Sequence, residues 1–130
     1  MMNLLTLPQD PLSLIEQSKA GITMAELTTL QKEMQLSTEQ LAAIVHLTPR
    51  SLQGYQPTDR LKPRIAERAL ALAQLYARGF DLMGPERFRR WMSREHLALG
   101  KRSPVQLLDT YFGIQLLLDE LGRIEHGVLA

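Results

Sequence analysis

The chain contains no cysteine. Disulfides, thiolate zinc sites and cysteine nucleophiles are excluded together, and a cytoplasmic setting is the expectation. No apolar run reaches the roughly 18 residues of a membrane span, so no membrane partner is expected. The segment from Met1 to Asp10 lacks the basic start and long apolar run of a secretory signal. Strand alternation and Asn-Gly or Asp-Gly hairpin turns are missing as well, which leaves an all-α reading. Catalytic hardware is equally scarce. His46, His96 and His126 lie far apart in no metal spacing, and there is no phosphate-cradling glycine loop or nucleophile elbow. Asp119 and Glu120 are neighbours on a helix and face different directions. No catalytic residue, metal or cofactor is expected, and the chain reads as a non-enzyme.

What is present is a single charge balanced over 130 residues, a formal +1. It conceals an asymmetry: residues 1–60 carry −2 and residues 61–130 carry +3. A nucleic-acid-binding domain usually shows a clear basic footprint. The excess here is modest and lies in the second half, which argues against tight DNA binding.

Helix starts and stops are the strongest local signals. Pro11 to Lys19 reads as a first helix, with Asp10 as its cap and Gly21 past its end. Thr23-Met-Ala-Glu26 and Ser37-Thr-Glu-Gln40 are capping boxes, each opening a helix. Thr48 caps a third, with Pro49 at its first position, where the missing N–H costs nothing. Pro57 to Lys62 breaks the pattern and places a boundary there, between an N-terminal region 1–60 and a C-terminal region 61–130. A long helix then runs from Pro63 to about Arg78, with Gly79 as its stop, and is long enough to belong to both halves. Pro85 opens another, to about Met92. Ser103-Pro104 opens one carrying Val105, Leu107 and Leu108, which Gly113 breaks. Ile114 to His126 is the last, ended by Gly127.

Short helix, tight turn, short helix is the helix-turn-helix pattern, carried by Leu36 to Tyr55. In a DNA-bound module the second helix enters the major groove, which would aim Thr48, Arg50, Ser51 and Gln53 at base edges. Ser37 and Gln40 would meet phosphates from the start of the first helix. The other reading is a packing-only three-helix subdomain: Arg50 is the single cation of the second helix, and Gly54 weakens that helix by about 1 kcal/mol relative to Ala.

From Trp91 onward a second constellation unfolds: Trp91, Ala98-Leu99-Gly100, Pro104, Leu107-Leu108, Gly113 and Arg123-Ile124-Glu125-His126-Gly127. Order and spacing resemble the toxin-binding domain of the Xre/MbcA/ParS antitoxin family. Together with the preceding helix-turn-helix and long helix, the resemblance covers roughly residues 25–130. Lys101 stands where the family pattern has a second glycine, which implies a different shape for the loop before Pro104.

The resemblance implies an Xre-like helix-turn-helix bundle joined by a long helix to a small helical toxin-binding domain. It implies a partner toxin encoded nearby, of the RES type, which consumes NAD or transfers ADP-ribose. The antitoxin would cover the toxin's active-site entrance with its C-terminal domain and repress its own operon by binding operator DNA. Candidate toxin contacts are Arg90, Arg94, Leu99, Lys101, Arg102, Arg123, Glu125, His126, Gly127 and the apolar tail Val128-Leu129-Ala130. Read from the residues alone, the cluster from Arg87 to Arg102 is equally a solvated basic face, and the tail equally a frayed terminus. Trp91 reads first as a core anchor, and Arg123 as the i,i+4 ion partner of Asp119. A homodimer or a hetero-oligomer with toxin is expected. Two other readings stand beside this one: a free-standing helix-turn-helix transcription regulator whose C-terminal half dimerises, and a structural adaptor without a toxin.

Overall fold

The computed structural model describes residues 3–127. Among them are seven α-helices and no strand, with two isolated bridges, Thr23 to Arg60 and His96 to Arg102. The helices are α1 (Pro11–Ala20), α2 (Met24–Met34), α3 (Thr38–Val45), α4 (Pro49–Gln53), α5 (Pro63–Met83), α6 (Pro85–Ser93) and α7 (Tyr111–Glu125). None of them is long and apolar enough to cross a membrane. The chain divides into two compact units, and the division falls inside α5, between Gln74 and Leu75.

In the first unit α1 to α4 each begin where side chains satisfy orphan N–H groups. The Asp10 carboxylate accepts from the Ser13 N–H at 3.0 Å, and hydrogen bonds from Ser13 hold its pKa below the usual range. Both capping boxes close. Thr23 N–H donates to Glu26 Oε1 at 2.9 Å, and Ser37 N–H donates to Gln40 Oε1 at 2.9 Å. The Pro57–Leu61 segment is bound against the start of α2: the N–H groups of Met24 and Ala25 donate to the carbonyls of Asp59 and Pro57, each at 2.9 Å, and Leu61 N–H donates to Ile22 at 2.8 Å. Leu27, Leu30, Leu41, Ile44, Leu52, Ile65 and Leu72 are among the side chains that fill the core. The Arg68 guanidinium of α5 donates to the Ile44 carbonyl near the end of α3, which ties the long helix to the helix-turn-helix.

The second unit departs from the expected pattern in three places. The long helix does not stop at Gly79. It continues to Met83, and Gly79 is buried beneath the Phe88 ring, where an added Cβ would lie 2.3 Å from the ring carbons. The glycine is a seat for Phe88. The helix ends instead at Gly84, whose φ of +85 suits a residue without Cβ, and Pro85 starts α6. The expected helix from Ser103 is one 3₁₀ turn, Pro104–Leu107, because Thr110 turns extended (φ −126) and caps α7 three residues on from Leu107. Gly113 breaks nothing: it is the third residue of α7, and its backbone presses against the Leu107 carbonyl.

The core of this unit is built on rings. Tyr76, Phe80 and Phe88 meet edge to face with centroids 5.2, 5.8 and 5.9 Å apart. Arg89 lies 5.0 Å over the Phe80 ring. Burial pushes the Tyr76 phenol well above its ordinary range, with the Arg89 charge opposing. Met92, Leu108, Ile114, Leu117 and Leu121 complete the packing.

Candidate functional site

The six side chains expected at DNA are all exposed, two at the start of α3 and four in or beside α4. Their hydroxyls are already engaged. Thr48 Oγ1 accepts from the Ser51 N–H at 3.0 Å and donates to Ser51 Oγ at 2.9 Å, while Ser37 Oγ accepts from the Gln40 N–H at 3.1 Å. Thr48, Ser51 and Ser37 therefore set where α3 and α4 begin. Arg50 and Gln53 are, besides Ser51, the exposed polar side chains of α4. The helix itself is five residues, little more than one turn.

In the second unit the expected toxin contacts fall on two elements. The first is α6 with the loop that follows. Trp91 is half-buried: one face stacks on Phe88 at 5.7 Å, and the ring leans on His96 at 5.0 Å. His96 Nε2 lies 2.8 Å from the Trp91 carbonyl. Backbone bonds from His96 N–H to the Arg102 carbonyl (3.1 Å) and from Lys101 N–H to the His96 carbonyl (3.0 Å) close the loop into a compact hairpin. Arg90, Arg94, Lys101 and Arg102 are exposed on this frame. Lys101 holds φ +62, a left-handed conformation that glycine adopts freely. Leu99 is a correction: it is 6% exposed and packs into the core, so its side chain leaves the contact set.

The second element is the end of α7. Arg123, Glu125, His126 and Gly127 are exposed. Arg123 pairs with Glu120, three residues back, in place of the expected Asp119. Glu125 lies 3.8 Å from Arg78 of α5, which anchors the helix end. Val128, Leu129 and Ala130 lie outside the described residues.

One feature of this unit was missed by sequence reading. Tyr111 and Phe112, the first two residues of α7, are 64% and 81% exposed and meet each other edge to face at 5.7 Å. Leu116, one turn on from Phe112, is 42% exposed. The available signal was periodic: Phe112 and Leu116 fall off the stripe made by Ile114, Leu117 and Leu121.

Each unit is similar to a known family. A family model described as the antitoxin Xre/MbcA/ParS C-terminal toxin-binding domain matches residues 78–127. A second, the antitoxin Xre-like helix-turn-helix domain, matches residues 13–74. An Antitoxin Xre of Yersinia enterocolitica serotype O:8 / biotype 1B is 28% identical over 120 residues, covering 90% of this chain and 81% of that protein.

Proposed function

The chain belongs to the Xre/MbcA/ParS antitoxin family, and from that membership we propose how it works: it neutralises a RES-type toxin by laying its C-terminal unit over the toxin's active-site entrance. The observation that carries this reading is the match of residues 78–127 to a toxin-binding domain. Within that segment Arg90, Arg94, Lys101 and Arg102 form an exposed basic edge, and Arg123, Glu125 and His126 an exposed mixed end. Enzymes that consume NAD or transfer ADP-ribose must admit a large anionic dinucleotide, so occupying the entrance is enough to stop them. The antitoxin needs no chemistry of its own. Protection is set by how slowly the complex dissociates.

The Xre-like match to residues 13–74 supports a second activity for the same chain, repression of its own operon, with Arg50 and Gln53 reading operator DNA. Two-fold operators suit a dimer, free or bridged by toxin.

The test is co-expression with the toxin encoded by the adjacent gene. The full chain rescues growth. A chain truncated after Leu121 keeps the buried stripe of α7, folds, and no longer rescues. Rescue by the folded truncation would overturn the assigned role of the C-terminal end. Growth arrest despite the intact antitoxin would overturn the reading as a whole.

A further inference from the structure

From the exposed face of α7 we infer that Tyr111, Phe112 and Leu116 form the apolar anchor that holds the toxin, a partner surface additional to the basic edge and the carboxyl-terminal end. The inference rests on the reading that this unit binds a toxin.

Among the described residues, these side chains lie outside the buried core of the unit. The core face of α7 is Ile114, Leu117, Leu118 and Leu121, all buried. Phe112 and Leu116 lie on the opposite side, and Asp119 and Arg123 follow them at the same helical spacing, also exposed. The stripe runs about 16 Å along the helix, from an aromatic end to a charged end. Its charged end is the Arg123 region proposed above to meet the toxin, so the apolar residues extend one continuous face.

The aromatic pair is also preorganised. Gly113 sits against the Leu107 carbonyl, and its N–H donates to Thr110 Oγ1 at 2.9 Å, which pins the first turn of α7. The two rings then brace each other edge to face. Rigid rings lose little conformational freedom on docking, and aromatic residues are favoured binding anchors for that reason.

The occupant is a different protein rather than a second copy of this chain. Two copies meeting through this stripe about a two-fold axis have two arrangements. Helices side by side in parallel would set Arg123 against Arg123 and Asp119 against Asp119. Antiparallel helices would bury Phe112 against Arg123 where the stripes overlap fully, and would leave the charged half of each stripe outside the contact where they are staggered to pair Phe112 with Leu116. Both waste the segregation of apolar and charged ends. A toxin offering an apolar pocket beside a polar rim matches it.

The experiment measures binding of the purified full-length chain to the purified toxin of the adjacent gene, with Phe112→Asp and the milder Phe112→Ser and Leu116→Ser. Circular dichroism and thermal melting check the fold, and light scattering reads the mass of the free antitoxin. The expected result is affinity for toxin weakened about tenfold or more by Phe112→Asp, as for a central anchor, with fold and mass unchanged. Leu12→Ser, at an exposed apolar position of α1, leaves toxin affinity unchanged. Wild-type affinity in the folded Phe112 variants would overturn the inference alone, as would a drop in mass with toxin affinity retained, which marks a self-association face. Failure of the wild-type chain to bind that toxin would instead remove the premise, and the inference with it.

Discussion

The Leu107 carbonyl oxygen occupies the place where a β-carbon on Gly113 would stand, 1.7 Å from it. Backbone cannot yield as the tip of a flexible side chain can, so any side chain at position 113 must separate the 3₁₀ turn Pro104–Leu107 from the first turn of α7. Gly113→Ala is expected to destabilise the second unit by about 3 kcal/mol or more, at the upper end of overpacking costs. Urea denaturation followed by circular dichroism measures it. A loss below about 1 kcal/mol would mean that the two turns part easily.

Two helical glycines make a matched pair. Gly79 faces the Phe88 ring at 2.3 Å, whereas Gly122 meets, among the described residues, only the flexible Arg78 guanidinium at 3.9 Å. Gly79→Ala is expected to cost about 1–3 kcal/mol through overpacking. Gly122→Ala is expected to add about 0.5–1 kcal/mol, the ordinary gain of Ala over Gly inside a helix. Phe88→Leu in the Gly79→Ala background should recover part of the loss, since the smaller side chain vacates the contested space. Thermal melts of the three variants decide it, and equal effects at positions 79 and 122 would show that helix propensity alone acts at both.

These glycines also explain what could be read from the sequence. Capping boxes and proline starts marked α1 to α4 because they depend on residues three or four apart. The resemblance of Trp91 to Gly127 found the C-terminal unit for the same reason, as an ordered local motif. Gly79 and Gly113 were read as helix breakers because a sequence shows the missing side chain and not the neighbour that fills its space: Phe88 in one case, the Leu107 carbonyl in the other. The second misreading started α7 at Ile114 and so placed Tyr111 and Phe112 at the end of the preceding helix instead of at the start of α7. Their exposure as a braced pair became visible only with the first turn restored. Leu99 erred in the other direction, since membership in a surface loop does not show which way a side chain turns.

Tyr76 gives the second unit a predictable response to alkali. Its phenol is 1% exposed, and burial raises its pKa above the ordinary value of 10.0. The unfolded chain therefore releases this proton first. The stabilising contribution is complete below about pH 10 and is lost as pH rises toward the folded value, at about 1.4 kcal/mol per pH unit. Tyr76→Phe removes the titrating group and should flatten the fall in stability above about pH 10 by one proton's worth of slope. Urea midpoints at several alkaline pH values measure it. Parallel curves for the two proteins would show that the phenol ionises without unfolding the unit.

Arg50 is where operator recognition can be tested without disturbing the fold. Thr48 and Ser51 are poor choices, because Thr48 Oγ1 accepts from the Ser51 N–H and caps α4. Thr48→Ala would lose about 1 kcal/mol of helix stability whether or not DNA is bound. Arg50 is exposed, and its removal leaves that cap in place. If its guanidinium reads a base, Arg50→Ala is expected to weaken operator binding by about 1–3 kcal/mol and to relax preference at one base pair. If it meets a phosphate, the loss is uniform across sequences and the salt slope falls by about one. Gel-shift titrations on operator and scrambled DNA at two fixed salt concentrations separate these outcomes. Binding unchanged on both would remove α4 as the reading element. The −2 charge of residues 1–60 makes that salt control necessary, because repulsion between the amino-terminal half and DNA would otherwise mask the loss of one cation.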